Sequence, residues 1–418
     1  MGFELRDYQK VIVAKGYDIL QKYRMLYLAM EVRTGKTFCA LFTVEDAEKV
    51  LFVTKKKAIS SIKMDYADSG LDYDLTVINY ESVHKIEKTR WDAIILDEAH
   101  GMGAYPKPSG RAKTIKQLLL DSPTAVVIYL SGTPTPESYS QMYHQMWVNP
   151  KSPLNIYKSF YAFANHHIDK KQKMVSYGRM INDYSHCRQE EVRELIGHLF
   201  IEYSQEEAGF DSKIEEEVLY VQMEKQTYDL CKRLQKDLVL GDKVVADTPV
   251  KLQSKLHQMY SGTIKLEDGK ASAFDLSKAK YINSRFANRK VAIFYKFIAE
   301  LDALKQVFGD SLTNDLEEFH NSDKSIALQI QSGREGTNLS LASDLIFYNI
   351  DFSATSYWQG RDRMTTKDRK ENKVWWIFSK GGIEEKIYAT VSQKKSYTTY
   401  YFKRDFGIKP KKPLILDL

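Results

Sequence analysis

The sequence predicts an α/β protein of two parallel-sheet lobes with a helical connector between them. Three observations predict it: two long stretches in which short β-rich runs alternate with helical patterns, and a middle stretch that lacks strands. At 418 residues the chain is long enough for two or three domains, because single hydrophobic cores stop growing below that length.

The first stretch covers residues 1–145. Its expected strands are Met25–Met30, Val50–Thr54, Leu75–Asn79, Ala93–Asp97 and Thr124–Ser131, with helical patterns at Lys36–Lys49 and Arg111–Leu120. Alternating β and α units form parallel sheets covered on both faces, and such sheets bind ligands beyond the carboxyl ends of their strands. Residues 146–215 change character: Leu154–His167 and Glu190–Phe200 read as amphipathic helices, with no strand between them. Residues 216–418 resume the alternation. Strands are expected at Val218–Met223, Val291–Tyr295, Ser325–Ile330, Leu345–Ile350 and Lys373–Phe378, followed by a helix from Ile383 and a Lys- and Pro-rich tail at Lys409–Pro413. No repeat at solenoid periods interrupts this plan.

Composition narrows the class. A hydrophobic content of 43% with 28% charged residues fits a soluble globular chain. No apolar run is long enough to span a bilayer, so no membrane partner is expected. The start, Met-Gly-Phe-Glu-Leu-Arg, lacks the apolar segment of a signal peptide and the Ser or Thr that myristoylation requires. Cys39, Cys187 and Cys231 have no metal or redox spacing and suit a reducing compartment, so a cytoplasmic location is expected. His166-His167 and His186-Cys187 lack partners at ligand spacing and read as structural. The net charge of +6 is compatible with a nucleic-acid partner without requiring one.

Chemistry concentrates at strand ends. The string Arg33-Thr34-Gly35-Lys36-Thr37 follows the strand ending at Met30 and opens a helix. Glycine there lets the backbone approach phosphate oxygens, and the helix N-terminus presents free N–H groups. Lys36 has the reach for β- and γ-phosphates, and the Thr37 hydroxyl suits Mg²⁺. Arg33 either touches phosphate or lies in solvent. The pattern usually has a small residue where this chain has Met30.

Asp97-Glu98-Ala99-His100 follows the apolar strand Ala93–Leu96. Buried carboxylates are costly unless they hold a metal or a proton. Asp97 is the natural Mg²⁺ partner and Glu98 the natural group to orient and deprotonate a water, while His100 lies just beyond. Ser131-Gly132-Thr133-Pro134 makes a rigid turn of short hydroxyls able to sense those carboxylates. In this order, each behind its own strand, the motifs imply a nucleoside triphosphatase using ATP and Mg²⁺.

Leu5-Arg6-Asp7-Tyr8-Gln9, Gly35–Thr37, Asp97–His100 and Ser131–Pro134 together resemble the ordered motif set of superfamily 2 DExH-type helicases. The second half adds Gly336-Thr337-Asn338-Leu339, Gln359-Gly360-Arg361-Asp362-Arg363 and Ile383-Glu384-Glu385-Lys386-Ile387. That last helix, with Val221–Leu230, is similar to the second lobe of SWI/SNF-type ATPases, and the compact form resembles phage-encoded members.

The resemblance implies two RecA-like lobes with ATP between them. It assigns Gln9 to adenine recognition, and Thr34 and Gly336 to the nucleotide. Ser131, Thr133, His100 and Gln359 would couple hydrolysis to movement, and Gly336, Thr337 and Asn338 would face nucleotide and nucleic acid. Arg361 or Arg363 would be the arginine finger; they stand two apart where the family has three, so one of them is expected to be only a salt-bridge partner. Arg33 stands where remodeller-type relatives carry glycine.

Lys55-Lys56-Lys57 and Asn79-Tyr80 follow strand ends on the edge where such proteins grip backbone phosphates, contacts that position a strand without reading its sequence. The Tyr357-Trp358 pair either stacks a base or packs under the arginine helix. The expected activity is ATP-dependent translocation on, or remodelling of, duplex, forked or single-stranded DNA, with replication or recombination proteins as possible associates. An RNA-dependent ATPase and an ATP-switched loading factor are the alternatives.

Overall fold

The computed structural model describes residues 4–86, 89–174, 180–209, 213–241, 243–333, 339–361 and 371–393. The chain divides into two compact units, Met1–Phe210 and Asp211–Leu418. Each is built around a six-stranded sheet in which all pairings are parallel. This is the architecture of two RecA-like α/β lobes. Among the described residues, no helix is long and apolar enough to cross a membrane.

In the first unit the strands are β1 (Met25–Met30), β2 (Lys49–Thr54), β3 (Asp74–Asn79), β4 (Ala93–Leu96) and β5 (Val126–Leu130). A hairpin, β6 (Lys171–Met174) and β7 (Met180–Asp183), precedes the sixth sheet strand, β8 (Phe200–Tyr203). The sheet order is β3-β2-β4-β5-β1-β8. Alternate residues of each strand feed opposite cores, as strand periodicity requires. Tyr27, Leu51, Val53, Ile94, Leu96 and Tyr129 face one core; Leu26, Leu28, Phe52, Ile95, Ile128 and Leu130 face the other. Because both faces are covered, the strands read as near-continuous apolar runs.

The segment 146–215, expected as a separate connector with no strand between its helices, differs in three ways, the first being the pair β6–β7 that lies between them. Met146, Leu154, Phe160, Phe163, Val192 and Ile196 pack into the first unit's core, and Phe200–Tyr203 pairs with β1 as the sheet's edge strand. The expected helix Leu154–His167 is broken: a 3-10 turn ends at Ile156, and Ser159 caps a new helix, Phe160–His167, by accepting from the Ala162 N–H at 3.2 Å. The Glu190–Phe200 pattern likewise holds a helix only over Gln189–Ile196. Short strands flanked by helix-like periodicity carry little signal of their own.

The second unit's strands are β9 (Lys213–Val221), β10 (Val239–Leu240), β11 (Val244–Val245), β12 (Thr263–Lys265), β13 (Ala271–Ala273), β14 (Val291–Tyr295), β15 (Leu312–Thr313), β16 (Ser325–Gln329), β17 (Asp344–Phe347) and β18 (Glu371–Ser379). The sheet order is β15-β16-β14-β17-β18-β9, with the two remaining pairs forming small hairpins. Ala292, Phe294, Phe347 and Trp376 face one core, and Val291, Ile293, Ile346 and Trp375 the other.

Candidate functional site

Three adjacent strands of the first sheet, β4, β5 and β1, deliver the candidate residues at their carboxyl ends. After β1 the chain turns through Glu31–Thr34 and enters the helix Lys36–Thr43. The turn is held from within by Thr34, whose hydroxyl donates to the Glu31 carbonyl at 2.8 Å. Gly35 has φ +79°, and a Cβ there would lie 2.0 Å from Gln9 Nε2. Backbone conformation therefore demands glycine, and any side chain there would displace the Gln9 amide. Arg33 also takes the left-handed conformation, at φ +65°. This costs a non-glycine residue about 1–2 kcal/mol, and it is a conformation glycine adopts freely.

Gln9 is buried beside this loop. Its Oε1 accepts the Arg6 N–H at 2.9 Å and its Nε2 donates to the Thr34 carbonyl at 3.4 Å. Its neighbour Tyr8 donates its hydroxyl to the same carbonyl at 3.0 Å and stacks on Tyr203 at 4.9 Å. From beyond β8, Gln205 adds its N–H to Glu31 Oε2 at 2.8 Å and its side-chain amide to the Val32 carbonyl at 2.9 Å. Tyr8, Tyr203 and Gln205 were missed by sequence reasoning. Only Tyr8, beside Gln9, carried a signal; the other two are visible once β8 is known to border β1.

The Asp97 N–H donates to the Val53 carbonyl at 2.8 Å, and the Thr54 hydroxyl donates to Asp97 Oδ2 at 2.7 Å. Burial, together with the neighbouring Glu98 charge, pushes the Asp97 carboxyl up to about 6, while the Lys36 ammonium and the Thr54 hydrogen bond pull it back. Asp97 is thus a half-buried carboxylate short of positive charge, which fits a divalent cation. Glu98 sits at φ +51°, a left-handed conformation for a non-glycine residue. Its Oε2 lies 3.2 Å from His100 Nδ1, and the same nitrogen lies 3.0 Å from Ser131 Oγ. One Nδ1 proton cannot serve both partners fully, so the imidazole links the carboxylate loop to the loop after β5.

That second loop is packed from below. Ser131 Oγ accepts the Thr133 N–H at 3.1 Å, and Thr133 Oγ1 is buried with no hydrogen-bond partner among the described residues. A Cβ on Gly132 would come within 3.4 Å of the Met30 carbonyl, so the loop abuts the phosphate-type turn. Gln145, on the helix Met142–Trp147, donates to the Pro134 carbonyl at 2.8 Å and accepts the Tyr27 hydroxyl at 2.7 Å.

Lys55 to Lys57 lie where expected, at the end of β2 and the start of a 3-10 turn, with Lys56 and Lys57 exposed. Asn79 ends β3 and donates to Glu81 Oε2 at 3.2 Å. Tyr80 does not present a surface to a polymer. It is 4% exposed and donates its hydroxyl to the Asp97 carbonyl at 2.6 Å, because an aromatic ring beginning a turn at a sheet edge gains more by packing inward.

In the second unit, Arg361 closes the helix Ala354–Arg361 and pairs with Glu216 at 2.8 Å. Glu216 also accepts from Tyr357 Oη at 2.8 Å and Trp376 Nε1 at 3.0 Å. Tyr357 is buried and stacks on Trp376, so it packs under the helix. Gly336, Thr337, Asn338 and Arg363 lie outside the described residues, as do the side chains of Gln359 and Trp358. His167, read as structural, holds Tyr157 Oη at 2.6 Å and Glu191 at 2.8 Å. No group of three or more His, Cys, Asp or Glu able to hold a metal occurs among the described residues.

No protein-family model matches the sequence, and no curated protein matches it. Among solved structures the chain is similar to the Sulfolobus solfataricus SWI2/SNF2 ATPase core in complex with dsDNA. Identity is 15%, coverage 98% of this chain and 96% of the other, and the TM-score 0.42. It is also similar to the Sulfolobus solfataricus SWI2/SNF2 ATPase core domain, at 16% identity, 94% and 89% coverage and a TM-score of 0.43.

Proposed function

We propose that this chain is an ATP-hydrolysing motor, stimulated by DNA, that translocates on or remodels duplex or branched DNA. The observation that carries the proposal is the convergence at the ends of β1, β4 and β5: a glycine turn opening a helix at Lys36, a half-buried carboxylate short of positive charge at Asp97, and the Glu98–His100–Ser131 linkage.

In this reading the free N–H groups at the start of the Lys36–Thr43 helix bind phosphate oxygens, and Lys36 neutralises the β- and γ-phosphates. Thr37 and Asp97 would hold Mg²⁺, which screens phosphate charge when bound. Glu98 orients the attacking water and accepts its proton. Gln9 braces the loop and stands beside the position for the base. Since Arg361 is committed to Glu216, Arg363 takes the role of arginine finger. Lys55, Lys56 and Asn79 grip backbone phosphates, a contact weakened by salt through counterion release.

The test is ATP turnover with no polymer, single-stranded DNA, duplex DNA, forked DNA and RNA. Duplex or forked DNA is expected to give the highest rate. Equal rates throughout would overturn the translocase reading, and a maximum with RNA would replace DNA by RNA as the track.

A further inference from the structure

The two loops assigned above to the polymer grip both terminate on one residue. Thr54, immediately before Lys55, donates its hydroxyl to the Asp97 carboxylate, and Tyr80, immediately after Asn79, donates its hydroxyl to the Asp97 backbone carbonyl. The second contact is not local. β3 is the edge strand and β2 lies between it and β4, so Tyr80 reaches past one strand to the residue that follows the next.

The outer end of this link is also fixed. The Arg111 guanidinium lies 5.2 Å from the centre of the Tyr80 ring and donates to Glu81 Oε1 from Nε at 3.1 Å and from Nη2 at 2.5 Å. Glu81 also accepts from Asn79. Tyr80 is buried and its hydroxyl is held far above the ordinary phenol range, first by burial and then by the Asp97 and Glu98 charges, so it remains a neutral donor. A polymer phosphate arriving at Asn79 or Arg111 competes for the same groups that hold Glu81 and cover the ring.

We propose that Tyr80 is a positioning residue that carries engagement of nucleic acid at residues 79–81 to the Asp97 backbone, so that polymer binding raises the rate of ATP hydrolysis. The inference rests on the motor reading above and deepens it, since that reading assigns no route from the grip to the chemistry. Repositioning the Asp97 carbonyl moves its carboxylate and the adjoining Glu98 together, and small misplacements of such groups cost large factors in rate.

The experiment is steady-state ATP hydrolysis by the full chain over a duplex-DNA titration, for wild type and Tyr80→Phe. The phenylalanine keeps the ring and its contact with Arg111 but removes the donor. The ratio of DNA-saturated to DNA-free turnover is expected to fall about threefold to tenfold, the change equivalent to one neutral hydrogen bond, with half-saturating DNA unmoved. Arg111→Met, which releases Glu81 without touching Asp97, is expected to lower the same ratio at saturating DNA; it keeps the inference falsifiable if Tyr80→Phe does not fold. An unchanged ratio, equal loss with and without DNA, or a shift confined to half-saturation would each overturn the inference while leaving the motor reading in place. A wild-type rate indifferent to every polymer would overturn the motor reading and this inference with it.

Discussion

Asp97 of the first unit and Asp351 and Glu384 of the second are desolvated carboxylates near strand ends, and their surroundings treat them in opposite ways. In the second unit Asp351 is half-buried, and the desolvation works to raise its pKa, yet the Lys296 ammonium and hydrogen bonds from Lys296 and Ser356 bring it below the ordinary range. Glu384 and Lys278 are fully buried and bonded at 2.7 Å, with Ser379 satisfying the remaining carboxylate positions. In the first unit Asp97 is only half-buried yet is pushed up to about 6. Its nearest donors are neutral hydroxyl and amide groups, its neighbour Glu98 repels it, and that neighbour sits in a strained left-handed conformation. Matched charge marks structure; unmatched charge with backbone strain marks a place where a ligand completes the arrangement.

The sharpest way to break this comparison is at the paired arginines. Arg363→Ala is expected to reduce polymer-stimulated turnover by ~10³-fold or more. Arg361→Ala, which abandons Glu216, is expected to cost about 1–3 kcal/mol of stability in urea unfolding and far less turnover per folded molecule. A reversed pattern would reassign the finger.

Next in size is the buried pair of the second unit. Lys278→Met leaves Glu384 buried without its cation and is expected to destabilise the protein by about 3–5 kcal/mol in urea unfolding. A loss within experimental error would show that the pair is not the structural element assigned here.

The smallest effect has the opposite sign. The Asp97 pKa is raised on folding, so between its ordinary value near 3.8 and about 6 the folded state binds more protons than the unfolded state. Its penalty is therefore absent at low pH and grows as pH rises through that window. Asp97→Asn is expected to stabilise the metal-free protein by about 1–3 kcal/mol at neutral pH, with the gain vanishing near pH 4. Thermal unfolding across that range measures it, and hydrolysis should be lost in the same variant.

The sheets were legible because parallel strands covered on both faces leave apolar runs, as at Met25–Met30 and Val291–Tyr295, where the structure has the same limits. The edge strand Phe200–Tyr203 was not, since it is only four residues long and a single 3-10 turn, Gly197–Leu199, separates it from the preceding helix, so it reads as the end of the helical pattern. In the candidate site, residues marked by type and spacing were readable: Gly35, Lys36, Asp97, Glu98, His100 and Ser131 stand at adjacent strand ends. Residues that act by reaching across the fold were not. Tyr80 and Tyr203 look like any aromatic in sequence, and their roles depend on which strand borders which. Arg33 shows the reverse case: an arginine within a phosphate-type loop pattern is visible in sequence, but the left-handed backbone, which glycine adopts freely, is not.

Glu98 offers the most direct measurement. Glu98→Gln keeps the size and position of the side chain but removes its capacity to take a proton. The account predicts that this variant binds ATP with Mg²⁺ about as tightly as wild type, while hydrolysis on duplex DNA falls by ~10²-fold or more. Retained hydrolysis in Glu98→Gln would contradict the assignment of the first unit's strand ends as the site of chemistry.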